Sequence, residues 1–283
     1  MIVNHEEKRV YVRQSWLGDM MICMERGRLA EVKPEFRHGT DATIMGTAVH
    51  HGIEQVLSGA LSPSDIADAS VFRLGQLMAE GNWKHVNIKP EDMVPLTAVM
   101  SQTWVNDLLP YVVEGGRIEQ NFAVPTGRSV QIDSDNVYEL WFSGTMDYVT
   151  PDGQLWDWKT AARKYSQSEK QKQSIQASVY AFAAVQLGYT DWNVNFNFGV
   201  MTRSYKSQGQ LVPVQRTKAH GDWVVEQATS MVTSALRIGN ATAWPQNDQH
   251  FLCNKDWCPW WSICKGARVS DVEQKWTQEV QNG

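Results

Sequence analysis

The sequence predicts a single α/β domain with an N-terminal helical part. Helical patterns fill the first part of the chain, and strand patterns separated by Pro, Gly and Asp follow between residues 118 and 159. Helical and strand patterns then alternate, as they do when helices flank a sheet. The 283 residues, 42% of them hydrophobic, suffice for a large core, and no repeat divides them, so we predict one domain over 1–283.

Four helices are predicted before the first strand. Ser15 can cap the first helix, and the second spans Ile44 to Leu57. The third and fourth helices open at Pro63 and Pro90, because proline suits the first turn of a helix, and the fourth ends near Gly115.

Four strands are predicted next, over residues 118–124, 130–132, 137–149 and 155–159. The last two flank Pro-Asp-Gly at 151–153, which suits a three-residue hairpin loop. That loop pairs Thr150 with Gln154. Counting back along both strands then sets Asp147 opposite Asp157.

The rest of the chain predicts a helix over 167–187, a strand at 194–198, a short strand near Leu211 and a helix over 222–237. A loop over 239–249 leads into a cysteine-rich segment. The last fifteen or so residues are expected to form a loosely held tail.

The hairpin brings ionisable side chains together. Asp147, Asp157 and Lys159 share one face, and two facing carboxylates repel each other unless a cation lies between them. Oxygen ligands favour Mg²⁺ or Mn²⁺. Such an ion can activate water and stabilise charge on a phosphate, with Lys159 orienting the water or supporting the transition state. A hairpin with solvated charges is equally open on these residues alone.

Two helices offer further candidates. His50 lies on the second predicted helix with Glu54 one turn beyond, and it is either an ordinary helical histidine or a ligand that completes a metal shell. Gln176 and Tyr180 are four residues apart on the helix after the lysine strand, so they line one side of a cleft or the edge of an amphipathic helix.

Four short motifs occur along the chain in this order: Gly46-x-x-Val49-His50, Gly144-x-x-Asp147-x-Val149, Asp157-x-Lys159-Thr160 and Gln176-x-x-x-Tyr180. Together they resemble the RecB-like branch of the PD-(D/E)XK nucleases, most closely its iron-sulfur-containing CRISPR-associated and phage exonucleases. The resemblance covers the chain from about Ser15 to Cys264. Met146 stands where the name of the superfamily implies proline.

The resemblance implies a restriction-endonuclease-like core with a mixed central sheet flanked by helices over 36–240, including a helical insertion. It implies that segments 13–35 and 250–266 together bind an iron-sulfur cluster. By the same resemblance, Lys159 is catalytic and Gln176 and Tyr180 position substrate. The implied metal ligands are His50, Asp147 and Asp157, with the backbone carbonyl of Trp158.

Four cysteines, Cys23, Cys253, Cys258 and Cys264, complete the candidate sites. Structural disulfides are not expected in a chain that looks cytoplasmic. Zinc and a [4Fe-4S] cluster both accept four cysteines. Zinc sites more often pair two close knuckles, whereas one remote cysteine plus a local trio is the arrangement of the nucleases named above, so we expect the cluster. Four buried free thiols are the minor alternative.

The expected activity is a metal-dependent DNA exonuclease that prefers single strands or ends. The absence of a signal sequence or a membrane-length apolar run predicts a cytoplasmic location, and the net charge of −5 does not exclude one basic groove. Alternatives are a non-catalytic DNA-binding or assembly module and an iron-sulfur redox protein. An oligomer, or partner proteins in recombination or CRISPR adaptation, would fit. Candidate phosphate contacts are Arg163, Lys164, Lys170, Lys172, Arg203 and Lys206.

Overall fold

A computed structural model describes residues 1–37, 39–84, 86–132, 136–239 and 244–266. In these segments a seven-stranded mixed sheet lies between helices, which confirms the predicted α/β class. The predicted C-terminal tail lies outside the described residues. No helix in the described part of the chain has both the length and the apolar character needed to cross a membrane.

The N-terminal residues form two strands, where the sequence predicted only helices. Strand β1 (Ile2–Asn4) pairs with β2 (Arg9–Arg13), in which the alternating Val10 and Val12 are fully buried. Helix α1 (Gln14–Ile22) follows directly and does not use Ser15 as its cap. Helix α2 is Met24–Val32.

The helical insertion begins with a two-residue strand, β3 (Gly39–Thr40), and helix α3 (Asp41–Leu57). Helix α3 starts three residues earlier than predicted, because the Thr40 side chain accepts a hydrogen bond from the Thr43 N–H and caps it. The predicted fourth helix changes to a π turn (Trp104–Leu108) and a 3₁₀ turn (Leu109–Tyr111). A 3₁₀ turn (Pro63–Asp65) lies where the third helix was predicted to open, and α4 (Ile66–Glu80) starts after it. The other elements here are β4 (Trp83–Lys84) and α5 (Pro90–Thr103).

The core strands are β5 (Arg117–Gln131), β6 (Val137–Val149), β7 (Leu155–Ala161), β8 (Val194–Thr202) and β9 (Gly209–Arg216). Strand β5 is one strand with a bulge, not the two predicted. The single helix predicted over 167–187 is divided at Ser174, whose side chain caps the second half. The helices are α6 (Gln167–Gln173), α7 (Ile175–Gln186) and α8 (Lys218–Ile238).

The sheet has the order β1-β2-β6-β7-β8-β9, with β5 on the second edge of β6. Strand β2 pairs with residues 139–143 of β6, and β7 pairs with residues 148–149 on the same edge. Residues 144–147 of β6 therefore have no strand partner on that edge. This opening in the sheet holds the candidate site.

Two apolar clusters cover the two faces of the sheet, and the tryptophans of the 155–160 strand belong to one of them. Trp156 and Trp158 are 2% exposed and pack 5.1 Å apart, and Trp104 meets Trp158 edge-on at 5.6 Å. Gly199 of β8 faces Trp158, and a Cβ at Gly199 would lie 2.6 Å from the indole. The tryptophan side chains of this strand therefore belong to the core, and their packing fixes the polar side chains on the other face of the strand.

Candidate metal and nuclease site

His50, Glu119 and Asp147 form a cluster of potential metal ligands. One ligand atom from each lies within 4.8 Å of the other two. His50 comes from α3, and its Nδ1 is 3.7 Å from the Asp147 Oδ2 of β6. An imidazole and two carboxylates converging from three elements match the donor set of a divalent cation site.

Glu119 was not predicted, and its backbone explains how it reaches the cluster. It lies on β5 between Ile118, which pairs with Tyr148, and Gln120, which pairs with Met146. Its φ of 45° is left-handed, which is uncommon for a residue with a side chain and is often found at functional sites. Only the register of β5 against β6, which sets Glu119 across from Asp147, could have identified it from the sequence.

Asp147 is held by the strand that carries the lysine. The predicted register is confirmed near the turn, where the Thr150 N–H donates to the Gln154 carbonyl at 2.9 Å and Tyr148 pairs with Trp156. Beyond that point the strands stop pairing. The Trp158 N–H instead donates to Asp147 Oδ2 at 2.8 Å, so the side-chain carboxylate takes the place of a backbone acceptor on β6.

Asp157 is 1% exposed and is held by the chain's own groups. The Gln176 amide donates to its Oδ1 at 2.6 Å, and the Lys159 ammonium lies 2.6 Å from its Oδ2. Of the three predicted metal ligands, His50 and Asp147 thus lie in the cluster with Glu119, and Asp157 forms an ion pair beside them.

Burial and charge shift the titration of the whole site. Burial, opposed by Lys159, raises the pKa of Asp157 to about 6. Glu119 is an exposed residue, but partial burial of its carboxyl group and the charges of Asp147 and Glu54 raise its pKa to about 7. Burial disfavours the charge on Lys159, but the two aspartates outweigh it and raise the lysine pKa. Crowded carboxylates with raised pKa values are the environment that a bound cation relieves.

The residues fit a divalent ion. Burial and Lys159 lower the pKa of His50, which favours the neutral imidazole that binds metals. His50, Glu119 and Asp147 would hold the ion, which supplies Lewis-acid activation of water and of a phosphoryl oxygen. Lys159 remains protonated beside them and can stabilise negative charge on a phosphate. Gln176 and the Trp158 N–H keep Asp157 and Asp147 in fixed orientations.

A cleft of about 650 Å³ opens onto the cluster. One face of α3 forms a long wall, and Gly46 lets it approach the sheet, since a Cβ there would lie 3.0 Å from the Thr160 Oγ1. The facing wall comes from β5, β7, α4 and the end of β8. The lining residues are Ala42, Thr43, Gly46, Thr47, His50, His51, Glu54, Arg73, Glu119, Trp158, Lys159, Thr160 and Arg203.

Tyr180 lies on the other side of the opening, in a second cavity of about 430 Å³. It is 6% exposed and packs edge-on against Phe122 at 5.6 Å, and burial raises its pKa to about 12. Arg13, at the end of β2, lines the same cavity. Gln176 contacts Asp157, and Tyr180 lines the second cavity while its hydroxyl interacts with Gln176.

Most of the predicted phosphate contacts stand apart from the cleft lining. The Lys170 ammonium lies 4.3 Å from the centre of the Tyr165 ring and makes a cation–π contact with it. Arg203 lines the cleft. The exposed members of the predicted group are Arg163, Lys164, Lys172 and Lys206.

All four cysteines line one further cavity, together with apolar side chains such as Leu29, Leu252 and Trp261. Cys23 sits in the extended junction between α1 and α2. Cys253, Cys258 and Cys264 come from the C-terminal segment, and none of the four forms a disulfide. Four thiols from two distant segments around one cavity are a donor set that fits a thiolate metal centre.

Hydrogen bonds fasten the C-terminal segment to the first helices. The Trp260 indole N–H donates to the Lys33 carbonyl at 2.9 Å, and the Asn247 amide donates to the Ile22 carbonyl at 3.0 Å. Glu25 is 3% exposed, accepts the Trp244 N–H at 2.8 Å and pairs with Arg28. These contacts hold the two segments that carry the cysteines next to each other.

Comparison with known proteins identifies the class. A family model described as the PD-(D/E)XK nuclease superfamily matches residues 25–265, and the chain belongs to that family. A crystal structure of a candidate exonuclease from Eubacterium rectale has a TM-score of 0.52 at 12% identity, covering 90% of this chain and 92% of its own. The structure of SSO0001 gives a TM-score of 0.36 at 12% identity, with 93% and 88% covered. No curated protein sequence matches.

Proposed function

We propose that this nuclease is a metal-dependent DNA exonuclease of the RecB-like branch, which acts on single strands or ends. The carrying observation is the opening in the sheet, where His50, Glu119 and Asp147 converge beside the Asp157–Lys159 ion pair at the base of a cleft. In this proposal His50, Glu119 and Asp147 would hold Mg²⁺ or Mn²⁺, with Asp157 as a further ligand beside them.

The structural neighbour from Eubacterium rectale supports the exonuclease part, since it carries that description and shares the fold over nine-tenths of both chains. Exposed tryptophans such as Trp257 can stack on unpaired bases, which supports a preference for single strands. Gln176 is proposed to position Asp157, and Tyr180 to contact the substrate from the second cavity. CRISPR adaptation, phage recombination and repair are settings that would each fit, each with its own partner proteins.

The four cysteines are proposed to hold a [4Fe-4S] cluster with a structural role. One cysteine at the α1–α2 junction and three at the C-terminal segment give four thiolates around one cavity. Zinc is the alternative ion for the same donors. Anaerobically purified protein is expected to be brown and to contain about four irons per chain, as a four-iron cluster requires. Zinc without iron in elemental analysis would reject the cluster and keep the thiolate centre.

The nuclease activity is tested with labelled single-stranded and double-stranded DNA in Mg²⁺, Mn²⁺ or EDTA. Asp147→Asn should slow cleavage on the order of 1,000-fold, because a ligand of the activating ion and its negative charge are lost. Asp191→Asn, an exposed aspartate after α7, is the matched control and should cleave at the parent rate.

Three outcomes separate the candidate functions. Cleavage that needs metal and Asp147 supports the enzyme, and products released one nucleotide at a time support exonuclease action. DNA binding without cleavage in either metal would instead support a binding or assembly module. Equal activity of parent and Asp147→Asn would reject the assigned site.

A further inference from the structure

Arg203 occupies a position in the cleft that the metal cluster does not explain. It directly follows β8, and its backbone N–H donates to the Ala161 carbonyl at 2.7 Å. Its guanidinium donates to the Thr160 carbonyl at 3.1 Å and lines the cleft beside Lys159. The side chain is thus fixed by the end of the same strand that carries the catalytic lysine.

The guanidinium of Arg203 lacks an anionic partner. Over the described part of the chain no carboxylate forms an ion pair with it, and Thr160 is its only hydrogen-bond acceptor, although a guanidinium has five N–H donors. Burial lowers the pKa of Arg203, so the charge is held in the cleft at a cost.

Two neighbours show that this arrangement is specific. Arg73 lines the same cleft but is paired with Glu80 at 3.4 Å and with Gln76 at 3.0 Å. Asp41 is the carboxylate whose charge acts on Arg203, but its Oδ2 already accepts the N–H groups of Asn87 and Ile88, each at 2.7 Å. Of the two arginines that line the cleft, Arg203 is therefore the one with donors to spare.

We propose that Arg203 binds a second phosphate of the substrate strand, next to the phosphate that reacts at the metal cluster. Thr43, exposed on the facing wall of α3, supplies a hydroxyl to the same phosphate. Thr43 lies seven residues before His50, about 10 Å along the helix, so the subsite is distinct from the metal cluster. Arg203 is in this sense a positioning residue, and the inference rests on the proposed function.

Phosphate is the anion that fits best. A planar fork of N–H donors matches two phosphate oxygens, and Lys159 on the same side of the cleft adds positive charge without competing for them. A strand lying along α3 would then present one phosphate to the metal cluster and another to Arg203. This contact fixes the register of the strand, so its loss should raise KM more than it lowers kcat.

The test measures binding of a short fluorescein-labelled single-stranded oligonucleotide by anisotropy in EDTA, over a series of salt concentrations. Arg203→Gln should weaken Kd about tenfold and reduce the slope of log K against log salt by about 0.7, the value for one phosphate contact on a single strand. Arg203→Lys should keep most of the slope, since the charge remains. Arg128→Gln, on the β5 bulge at the far end of the sheet, is the matched control.

The same oligonucleotide with a 5′-phosphate, a 3′-phosphate or no terminal phosphate distinguishes the source of the anion. A slope change with every end supports an internal phosphodiester, and a change with one phosphorylated end supports a terminal phosphate. Equal Kd and slope for Arg203→Gln and parent would overturn the subsite while leaving the nuclease intact. A parent that neither binds nor cleaves DNA would instead refute the proposed function.

Discussion

The two candidate metal sites of this molecule are built in opposite ways. The cleft site uses an imidazole and carboxylates on helix α3 and adjacent strands, opens to a cavity of about 650 Å³ and is crowded with like charges. The cysteine cavity uses thiols from segments about 230 residues apart in sequence, and apolar side chains line it. One site is held by the sheet, and the other joins two ends of the described chain.

Because of this difference, we expect the cleft residues to serve activity and the cysteines to serve stability. The backbone that carries Asp147 and Asp157 is fixed by strand pairing and by buried tryptophans, so these charges are a cost that the fold tolerates. The cysteines are fixed by the contact between α2 and the C-terminal segment, which a bound metal would strengthen. Loss of a cleft ligand should therefore affect activity, and loss of a thiol should affect folding.

The largest expected effect on stability comes from the thiols. Cys23→Ser should lower Tm by about 10 °C, because a loss of about 3 kcal/mol shifts Tm of a chain this size by 2–4 °C per kcal/mol. In metal-free buffer, Asp147→Asn should leave Tm unchanged or raise it, since burial raises the pKa of Asp147 and the neutral amide removes that cost. The Tm values of both variants and the parent are measured by calorimetry.

The reverse pattern would break the distinction between the two sites. An unchanged Tm for anaerobic Cys23→Ser would mean that hydrogen bonds alone hold the C-terminal segment. A large fall in Tm for Asp147→Asn would mean that its bond from the Trp158 N–H is structural.

The sequence predicts the cleft site better than its surroundings. The hairpin register followed from a three-residue turn, and it set Asp147 and Asp157 on neighbouring strands as the structure has them. Glu119 was missed because its role depends on a left-handed residue in β5, which no local pattern signals. Strands β1 and β2 were missed because parallel pairing of β2 with β6 is a long-range contact.

The cysteines illustrate the opposite case. Their spacing and number predict a shared site, and the four thiols do line one cavity. The arrangement of one remote cysteine and a local trio favours a cluster over zinc, and that preference stays a prediction. The division of the predicted 167–187 helix at Ser174 could not be foreseen either, since Ser174 caps only if the chain turns there.

A smaller effect is expected from Glu119, the candidate ligand that the sequence did not predict. Glu119→Gln should weaken Mn²⁺ binding, measured by calorimetric titration, by about 10- to 100-fold, because one charged ligand is lost. His50→Ala should weaken it too and change the preference between Mg²⁺ and Mn²⁺, since imidazole favours the softer ion. Glu114→Gln, an exposed glutamate before β5, is the control.

Coincident titration curves for Glu119→Gln and the parent would remove Glu119 from the metal site. Asp157 would then be the better third ligand, and its pairing with Lys159 would have to change when the ion binds.

The smallest effect concerns the frame of the cleft, and it depends on pH. Asp41, 1% exposed at the start of α3, accepts backbone N–H groups from Val86, Asn87 and Ile88. Burial disfavours its charge, but these bonds outweigh burial and lower the pKa of Asp41 in the folded state. Its contribution to stability is therefore present above about pH 4, the unfolded value, and is lost as the pH falls toward the folded pKa.

Asp41→Asn should lower the free energy of unfolding by about 1 kcal/mol at neutral pH, because the amide oxygen accepts these bonds less strongly than a carboxylate. The difference from the parent, measured by urea unfolding, should shrink between about pH 4 and the onset of acid unfolding. A pH-independent difference for Asp41→Asn would mean that its carboxylate acts by shape alone and that the cleft has no acid-sensitive frame.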